Sequence, residues 1–234
     1  MADAAVRIAD LRFAWPGQAT LCLDIRALTI ARRESVFVVG DSGSGKSTLL
    51  ALLGGVLVPQ AGSIDVLGTE LSRLSAGGRD RFRVDHTGFI FQQFNLIPYL
   101  TMQENVLLPC RFSARRRQRA LARSATLAGE ARRLLNELDL DETLWRRPVT
   151  QLSVGQQQRV AAARALIGEP ELVIADEPTS ALDAGRQAAF LDLLARECAQ
   201  AGATLIFVSH DARLASHCSR SVSMADLQRR GTPP

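Results

Sequence analysis

Apolar residues along the chain fall into short runs rich in β-branched side chains, separated by stretches with helical character. Near the N-terminus VRIADLRFAW and LCLDIRALTI alternate apolar and polar positions in the manner of two paired strands. SVFVVG is instead continuously apolar and leads straight into GDSGSGKST, after which KSTLLALLGGV reads as helix. Strand, glycine loop and helix therefore follow one another without a gap. The order recurs toward the C-terminus as ELVIAD, a helical segment around Arg186 to Ala201, ATLIFVSH and a further short helix. Buried runs alternating with helices indicate a parallel sheet covered on both faces. From about Asn95 to Gln151 the pattern turns helical, through ENVLLP and LARSATLAGEARRLLNELDL. The predicted fold is α/β, with a mostly parallel sheet, antiparallel N-terminal strands and an inserted α-helical subdomain. Residues 1–94 and 156–234 form the core and residues 95–155 the subdomain, and no internal repeat is visible.

At 234 residues the chain buries a substantial core without disulfide or metal staples. Its 47% hydrophobic and 22% charged residues are the balance of a soluble globular protein. The apolar run LLALLGGVLV is far shorter than the roughly 18 residues that span a bilayer, so the chain is not expected to cross a membrane by itself. Its first residues lack the basic and apolar regions of a secretory signal, which points to the cytoplasm. Cys22, Cys110, Cys198 and Cys218 are scattered without zinc-like spacing and read as reduced thiols. The net charge of +4 is unevenly spread, because Arg111, Arg115, Arg116, Arg117, Arg119 and Arg123 crowd one stretch. Such a run could meet nucleic acid or acidic headgroups, but a solvated helix face is the expectation.

Among 28 basic residues the only lysine is Lys46. Gly40, Asp41, Ser42, Gly43, Ser44, Gly45, Lys46 and Ser47 fit G-x-x-x-x-G-K-[ST] at every fixed position, between a strand and a helix as a phosphate loop requires. Glycines let successive N–H groups turn inward at a helix N-terminus and form an anion site. Lysine suits that place because it is a compact point charge on a flexible stem, whereas a guanidinium is wider and prefers a bidentate partner. Ser47 offers its hydroxyl to Mg²⁺, and the core is expected to be that of a phosphate-loop NTPase. A second, acidic site is supplied by ELVIAD, where an apolar strand ends in Asp176 and Glu177. Asp176 is placed to help hold Mg²⁺ and Glu177 to polarise water as general base. Taken alone, such a pair could equally cap a helix.

Leu152-Ser153-Val154-Gly155-Gln156, running into QQRVAAARAL, resembles the signature sequence of ATP-binding-cassette ATPases. With GDSGSGKST, FIFQQ, ADEPTSALD and FVSHD in family order, the resemblance covers nearly the whole chain. It implies an ATPase converting ATP and water to ADP and phosphate, with ATP and Mg²⁺ as cofactors. It also implies a homodimer in which two ATP molecules are sandwiched between protomers. Ser153, Gly155 and Gln156 would then face the partner's γ-phosphate. Gln92 resembles the switch glutamine that senses Mg²⁺ and γ-phosphate, in preference to Gln93, and His210 the switch histidine. A histidine after an apolar strand is by itself more often structural, and His86 and His217 match no motif. Asp183 resembles the residue coupling the two sites across the dimer. Trp15 occupies the place of an adenine-stacking aromatic, with Phe13 as the alternative, and Thr48 closes the phosphate loop. Val154 departs from the glycine commoner at its position.

The resemblance further implies a separate membrane permease as partner, and so a peripheral position on the cytoplasmic face of a bacterial inner membrane. Phe94, Leu96, Ile97, Tyr99 and Leu100 suit a groove for its cytoplasmic helix, with packing inside the subdomain as the other reading. The wording of the chain is similar to ATPase subunits of lipoprotein-release, macrolide-export and related cell-division systems. The alternative is an ATP-binding-cassette ATPase without a transporter, acting on nucleic acid or in cell-division signalling, although no direct nucleic-acid partner is expected.

Overall fold

The computed structural model describes residues 3–180, 182 and 184–228, which divide into two compact units. Residues 1–83 with 204–234 make up the first, and residues 84–203 the second. Asp183 lies outside the described residues.

In the first unit, β1 (Ala4–Phe13) pairs antiparallel with β2 (Leu23–Ala31). Alternation buries Val6 and Ile8, then shifts at Asp10 so that Leu11 and Phe13 point inward. The shift is a local bulge: Asp10 has φ +48°, and the register between β1 and β4 (Ala61–Val66) breaks over Ala9 to Arg12. Gly62 is obligatory opposite it, because an added Cβ would lie 2.3 Å from Asp10 O at a φ of +80°. A short β5 (Thr69–Glu70) completes the sheet in the order β2-β1-β4-β5. Between β2 and β4 run the fully apolar centre of β3 (Ser35–Val39) and α1 (Lys46–Leu53), and α2 (Ala76–His86) follows β5.

The second unit opens with β6 (Thr87–Ile90) and continues through α3 (Met102–Phe112), α4 (Ala114–Arg123) and α5 (Leu127–Glu137). The helical stretch expected at residues 95–155 falls inside this unit. Then come α6 (Val154–Leu166), β7 (Leu172–Asp176), which pairs parallel with β6, and α7 (Ala184–Gln200). Thr101, Ser113, Thr126 and Ser153 each cap the helix they precede, accepting a hydrogen bond from its first turn.

Back in the first unit, β8 (Thr204–Ser209) and β9 (Arg220–Ser223) flank β3 in parallel, and α8 (Met224–Leu227) follows. Phe37 stacks on Phe207 across β3 and β8 with ring centroids 5.5 Å apart. The α/β class, parallel strands and antiparallel N-terminal sheet match the sequence expectation. Among the described residues no helix is long and apolar enough to cross a membrane.

Candidate nucleotide-binding and hydrolytic residues

In the first unit the loop between β3 and α1 is built around Lys46. Its side chain is buried, and Nζ donates to Gly40 O at 2.7 Å and Asp41 O at 2.9 Å. The ammonium thus closes the loop on its own carbonyls, which a branched guanidinium could not do at that radius. Gly45 precedes α1 at φ +94°, where an added Cβ would meet Leu23 Cδ2 at 2.7 Å. Helix α1 has no side-chain cap and no acidic residue in its first turn. Its first N–H groups are therefore left for a ligand, and the positive helix end faces the loop. Ser44 Oγ is buried and has no hydrogen-bond partner among the described residues. An uncapped helix, a lysine inside the loop and an orphaned hydroxyl together fit a phosphate chain.

Parallel register places two other residues. Val39 pairs with Ser209, so Gly40 and His210 leave β3 and β8 side by side at the C-terminal ends of adjacent strands. That edge is where ligands bind in open α/β sheets. Trp15 lies at the end of β1, 41% exposed, and packs edge-on against Phe13 at 5.3 Å. Phe13 is only 5% exposed and belongs to the core, so of the two aromatics only Trp15 offers a free face. Gln60 fixes the backbone before it, accepting from Ala14 N at 2.9 Å and donating to Ala14 O at 3.3 Å. An open cavity of about 440 Å³ borders the loop, lined by Cys22, Gly40, Asp41, Ser44, Met224 and Gln228.

In the second unit the same device recurs. Ile90 pairs with Ala175 in the last pair of the ladder, so the turns that carry Gln92 and Glu177 leave β6 and β7 at the same, C-terminal end of adjacent strands. Gln92 and Gln93 form an exposed turn, followed by Phe94 and Asn95 at φ +58° and +48°. Glu177 also has a positive φ, +42°. Three side chains to which the sequence assigned no role hold these turns. Arg164 donates to Phe94 O and Asn95 O, both at 2.6 Å. Gln158 donates to Pro178 O at 2.6 Å, and Gln187 to Thr179 O at 3.1 Å and Leu182 O at 3.0 Å. The clue in the sequence is slight: Arg164 interrupts the apolar run of α6, whereas Gln158 sits in its polar stretch QQQR.

Ser153 begins α6 in a reciprocal capping box. Its Oγ accepts from Gln156 N at 3.3 Å, while Gln156 Oε1 accepts from Ser153 N at 2.9 Å. The Ser153 hydroxyl keeps its own proton for a further acceptor. Among the described residues an added Cβ at Gly155 would meet nothing nearer than Leu182 Cδ2 at 3.9 Å, so their packing does not require glycine there, and Val154 beside it is exposed.

The arginine run is the solvated face that the sequence suggested only in part: Arg111, Arg115, Arg117 and Arg123 are exposed, Arg119 is half-buried and Arg116 is buried. Arg116 is 3% exposed and donates to Ala165 O (2.6 Å), Ile167 O (2.8 Å), Thr87 O and Arg164 O (both 3.4 Å). Burial pulls its pKa down to about 10, which still leaves it charged at the negative end of α6. Arg115 and Arg119 bind Glu171 at 2.5 and 2.7 Å, with His86 at 3.2 Å, and Arg123 pairs with Glu169. Burial pushes the Glu171 carboxyl up, but these hydrogen bonds outweigh it and hold the group at about 2. Phe94 is buried in its unit, whereas Tyr99 is 80% exposed, so the segment expected to form a groove is partly core.

No group of three or more His, Cys, Asp or Glu residues forms a resident metal site among the described residues. The donors expected for Mg²⁺, the Ser47 hydroxyl, Gln92 amide and Asp176 carboxylate, are hard oxygens suited to an ion that shares its shell with phosphate and water.

Residues 23–180 match the family model described as ABC transporter. The chain is 44% identical over 218 residues to "Macrolide export ATP-binding/permease protein MacB 1" of Aeromonas hydrophila, covering 88% of this chain and 32% of that protein. It thus spans about a third of the length of such relatives. It is also 44% identical to "Lipoprotein-releasing system ATP-binding protein LolD" of Syntrophotalea carbinolica, covering 82% of each. Among solved structures, it is similar to the dimeric post-hydrolysis state of the ATP-binding cassette MJ0796 bound to ADP and Pi. That match has a TM-score of 0.78, 34% identity, and covers 95% of this chain and 94% of the other.

Proposed function

The chain belongs to the ABC transporter family, and from that premise we propose that it is the ATP-hydrolysing subunit of a lipoprotein-release or macrolide-export type system. Two copies close around two ATP molecules and move a separate membrane permease, which holds the subunit at the cytoplasmic face. The observation that carries this reading is the phosphate loop, with Lys46 turned inward on Gly40 O and Asp41 O beneath an uncapped helix.

On binding ATP, Lys46 exchanges those two carbonyls for β- and γ-phosphate oxygens, and the first N–H groups of α1 take the remaining oxygens. Ser47, Gln92 and Asp176 would hold Mg²⁺, which when bound neutralises phosphate charge. Trp15 stacks on the adenine. Ser153 donates its spare hydroxyl proton, and Gly155 its N–H, to the γ-phosphate held by the other copy. Asp183 would couple the two sites. Glu177 accepts the proton of the attacking water as its oxygen bonds to the γ-phosphorus and the bond to the β-bridging oxygen breaks. His210 orients that water and the γ-phosphate. The room at Gly155 supports an approach from outside the chain. The exposed Tyr99 supports a docking place for the permease near Gln92.

Light scattering with ATP and Mg²⁺ tests this reading. Glu177→Gln is expected to become a stable dimer and to hydrolyse about 10²- to 10⁴-fold more slowly than the parent. A Glu177→Gln protein that stays monomeric with saturating nucleotide overturns it.

A further inference from the structure

Helix α6 starts at the residues that would meet the partner's nucleotide and is fastened along its length to the turns carrying Glu177 and Gln92. Gln158, wholly buried, holds Pro178 O, one residue after Glu177. Arg164 holds Phe94 O and Asn95 O, two and three residues after Gln92. Arg116 locks the far end to Thr87 O at the start of β6, the strand that delivers Gln92.

The Arg164 contact asks for a reason beyond packing. Its guanidinium, with a pKa lowered by burial, is committed to two backbone carbonyls of consecutive non-glycine residues in the left-handed region. Such a pair is strained and persists only where its surroundings hold it. Relaxation of Phe94 and Asn95 to negative φ would turn the preceding segment, which is bonded to them through Phe94 N to Phe91 O at 2.9 Å and Asn95 N to Gln93 O at 2.6 Å. Gln92 sits inside that segment. Beyond it, Asn105 pins the loop again by accepting from Ile97 N and donating to Ile97 O, Leu100 O and Thr101 O. A planar fork can hold two diverging carbonyls at once, whereas a lysine ammonium cannot reproduce that fixed spread.

We propose that Arg164 is a positioning residue for Gln92: by fastening the Gln92 turn to α6, it makes Mg²⁺ engagement at one nucleotide depend on how Ser153 meets the other. This rests on the reading of Gln92 as a Mg²⁺ contact. Arg164 and Gln158 act through the turns they hold and not by touching nucleotide.

The test uses the full chain carrying Glu177→Gln, so that the readout is assembly rather than turnover. The Mg²⁺ concentration giving half-maximal ATP-driven dimer is measured by light scattering for that parent, Gln92→Ala, Arg164→Met, Arg164→Lys and the Gln92→Ala/Arg164→Met double variant. ATP binding by the monomer in chelator is followed with a fluorescent nucleotide and reports an intact phosphate loop. Gln92→Ala and Arg164→Met are each expected to raise the Mg²⁺ requirement about tenfold, the loss of one charge-assisted contact, and the double variant no further. Arg164→Lys falls between, and carries the test if Arg164→Met does not fold. Monomer affinity for ATP stays within about twofold in all. A normal Mg²⁺ requirement in both Arg164 variants, with Gln92→Ala raised, overturns the proposal while leaving Gln92 in its role. Multiplying effects in the double variant also overturn it, since Arg164 would then act independently of Gln92. A normal requirement in Gln92→Ala removes the Mg²⁺ reading of that residue and this inference with it.

Discussion

Helices α1 and α6 both present an N-terminus suited to an anion, and they are built in opposite ways. Helix α1 follows Gly45 with no side-chain cap, so its orphan N–H groups are open, and Lys46 adds a full charge at the same point. Helix α6 is already satisfied by the Ser153 and Gln156 capping box, which leaves the hydroxyl proton and the N–H groups of the first turn that the box does not use. The first is equipped to hold a triphosphate within one chain. The second can only add to a phosphate that something else holds. On the proposed reading, a protomer built this way would bind nucleotide alone but complete its site only with a second copy.

The sharpest way to break that contrast is to remove one side chain from each helix start. Lys46→Ala loses two charge-assisted contacts of about 2 kcal/mol each, so ATP affinity of the monomer should fall about 10³-fold. Ser153→Ala should leave monomer affinity within about twofold and weaken the ATP-driven dimer about tenfold, through loss of a cap and a hydrogen bond. Fluorescent-nucleotide titration and light scattering separate the two. Comparable losses of monomer affinity would mean that both helix starts serve the same nucleotide within one chain.

That difference was only half legible in the sequence. The strand, loop and helix around Lys46 are contiguous, so spacing alone identifies them, and the runs ELVIAD and ATLIFVSH place Asp176, Glu177 and His210 at strand ends. What spacing does not carry is register. The turns carrying Gln92 and Glu177 leave the sheet from neighbouring strands because Ile90 pairs with Ala175 across 85 residues of chain, and no local pattern encodes that pairing. The fasteners Gln60, Gln158 and Arg164 were missed because a glutamine or arginine bonded to a distant carbonyl looks, in one dimension, like any other polar residue. Within the arginine run two positions misled for the opposite reason: crowded charge reads as surface, and most of it is, but the carbonyls at the end of α6 and the carboxylate of Glu171 draw Arg116 and Arg119 inward.

The contrast extends to the other ends of the two helices. Helix α1 finishes under Arg83, which donates to Gly54 O at 3.0 Å with a quarter of its side chain exposed, while α6 finishes under the buried Arg116. Both cations complement the helix dipole, but only Arg116 serves four carbonyls out of water. Arg116→Met should therefore lower stability by about 2–4 kcal/mol, and Arg83→Met by about 1 kcal/mol or less. Urea midpoints at constant slope measure the difference. Equal shifts would show that burial adds nothing to the α6 lock.

The smallest effect separates the two ends by pH. Arg83 binds the Gly54 carbonyl and pairs with the largely exposed carboxylate of Asp80, whereas the helix that carries Arg116 is tied through Arg115 and Arg119 to the more buried Glu171. Glu171 sits at about 2 in the fold against 4.5 for an ordinary glutamate. A lowered folded pKa means that the unfolded chain binds the proton more readily, so the contribution is fully present above about pH 5 and disappears as pH falls from there toward 2. With the side chain a fifth exposed, solvent screening limits it to about 1–2 kcal/mol. Melting wild type and Glu171→Gln across this range should give a gap in stability that is constant near neutrality and closes on acidification. A gap that persists unchanged at pH 2 would assign the Glu171 contribution to hydrogen-bond geometry, which the amide keeps in part, and not to its charge.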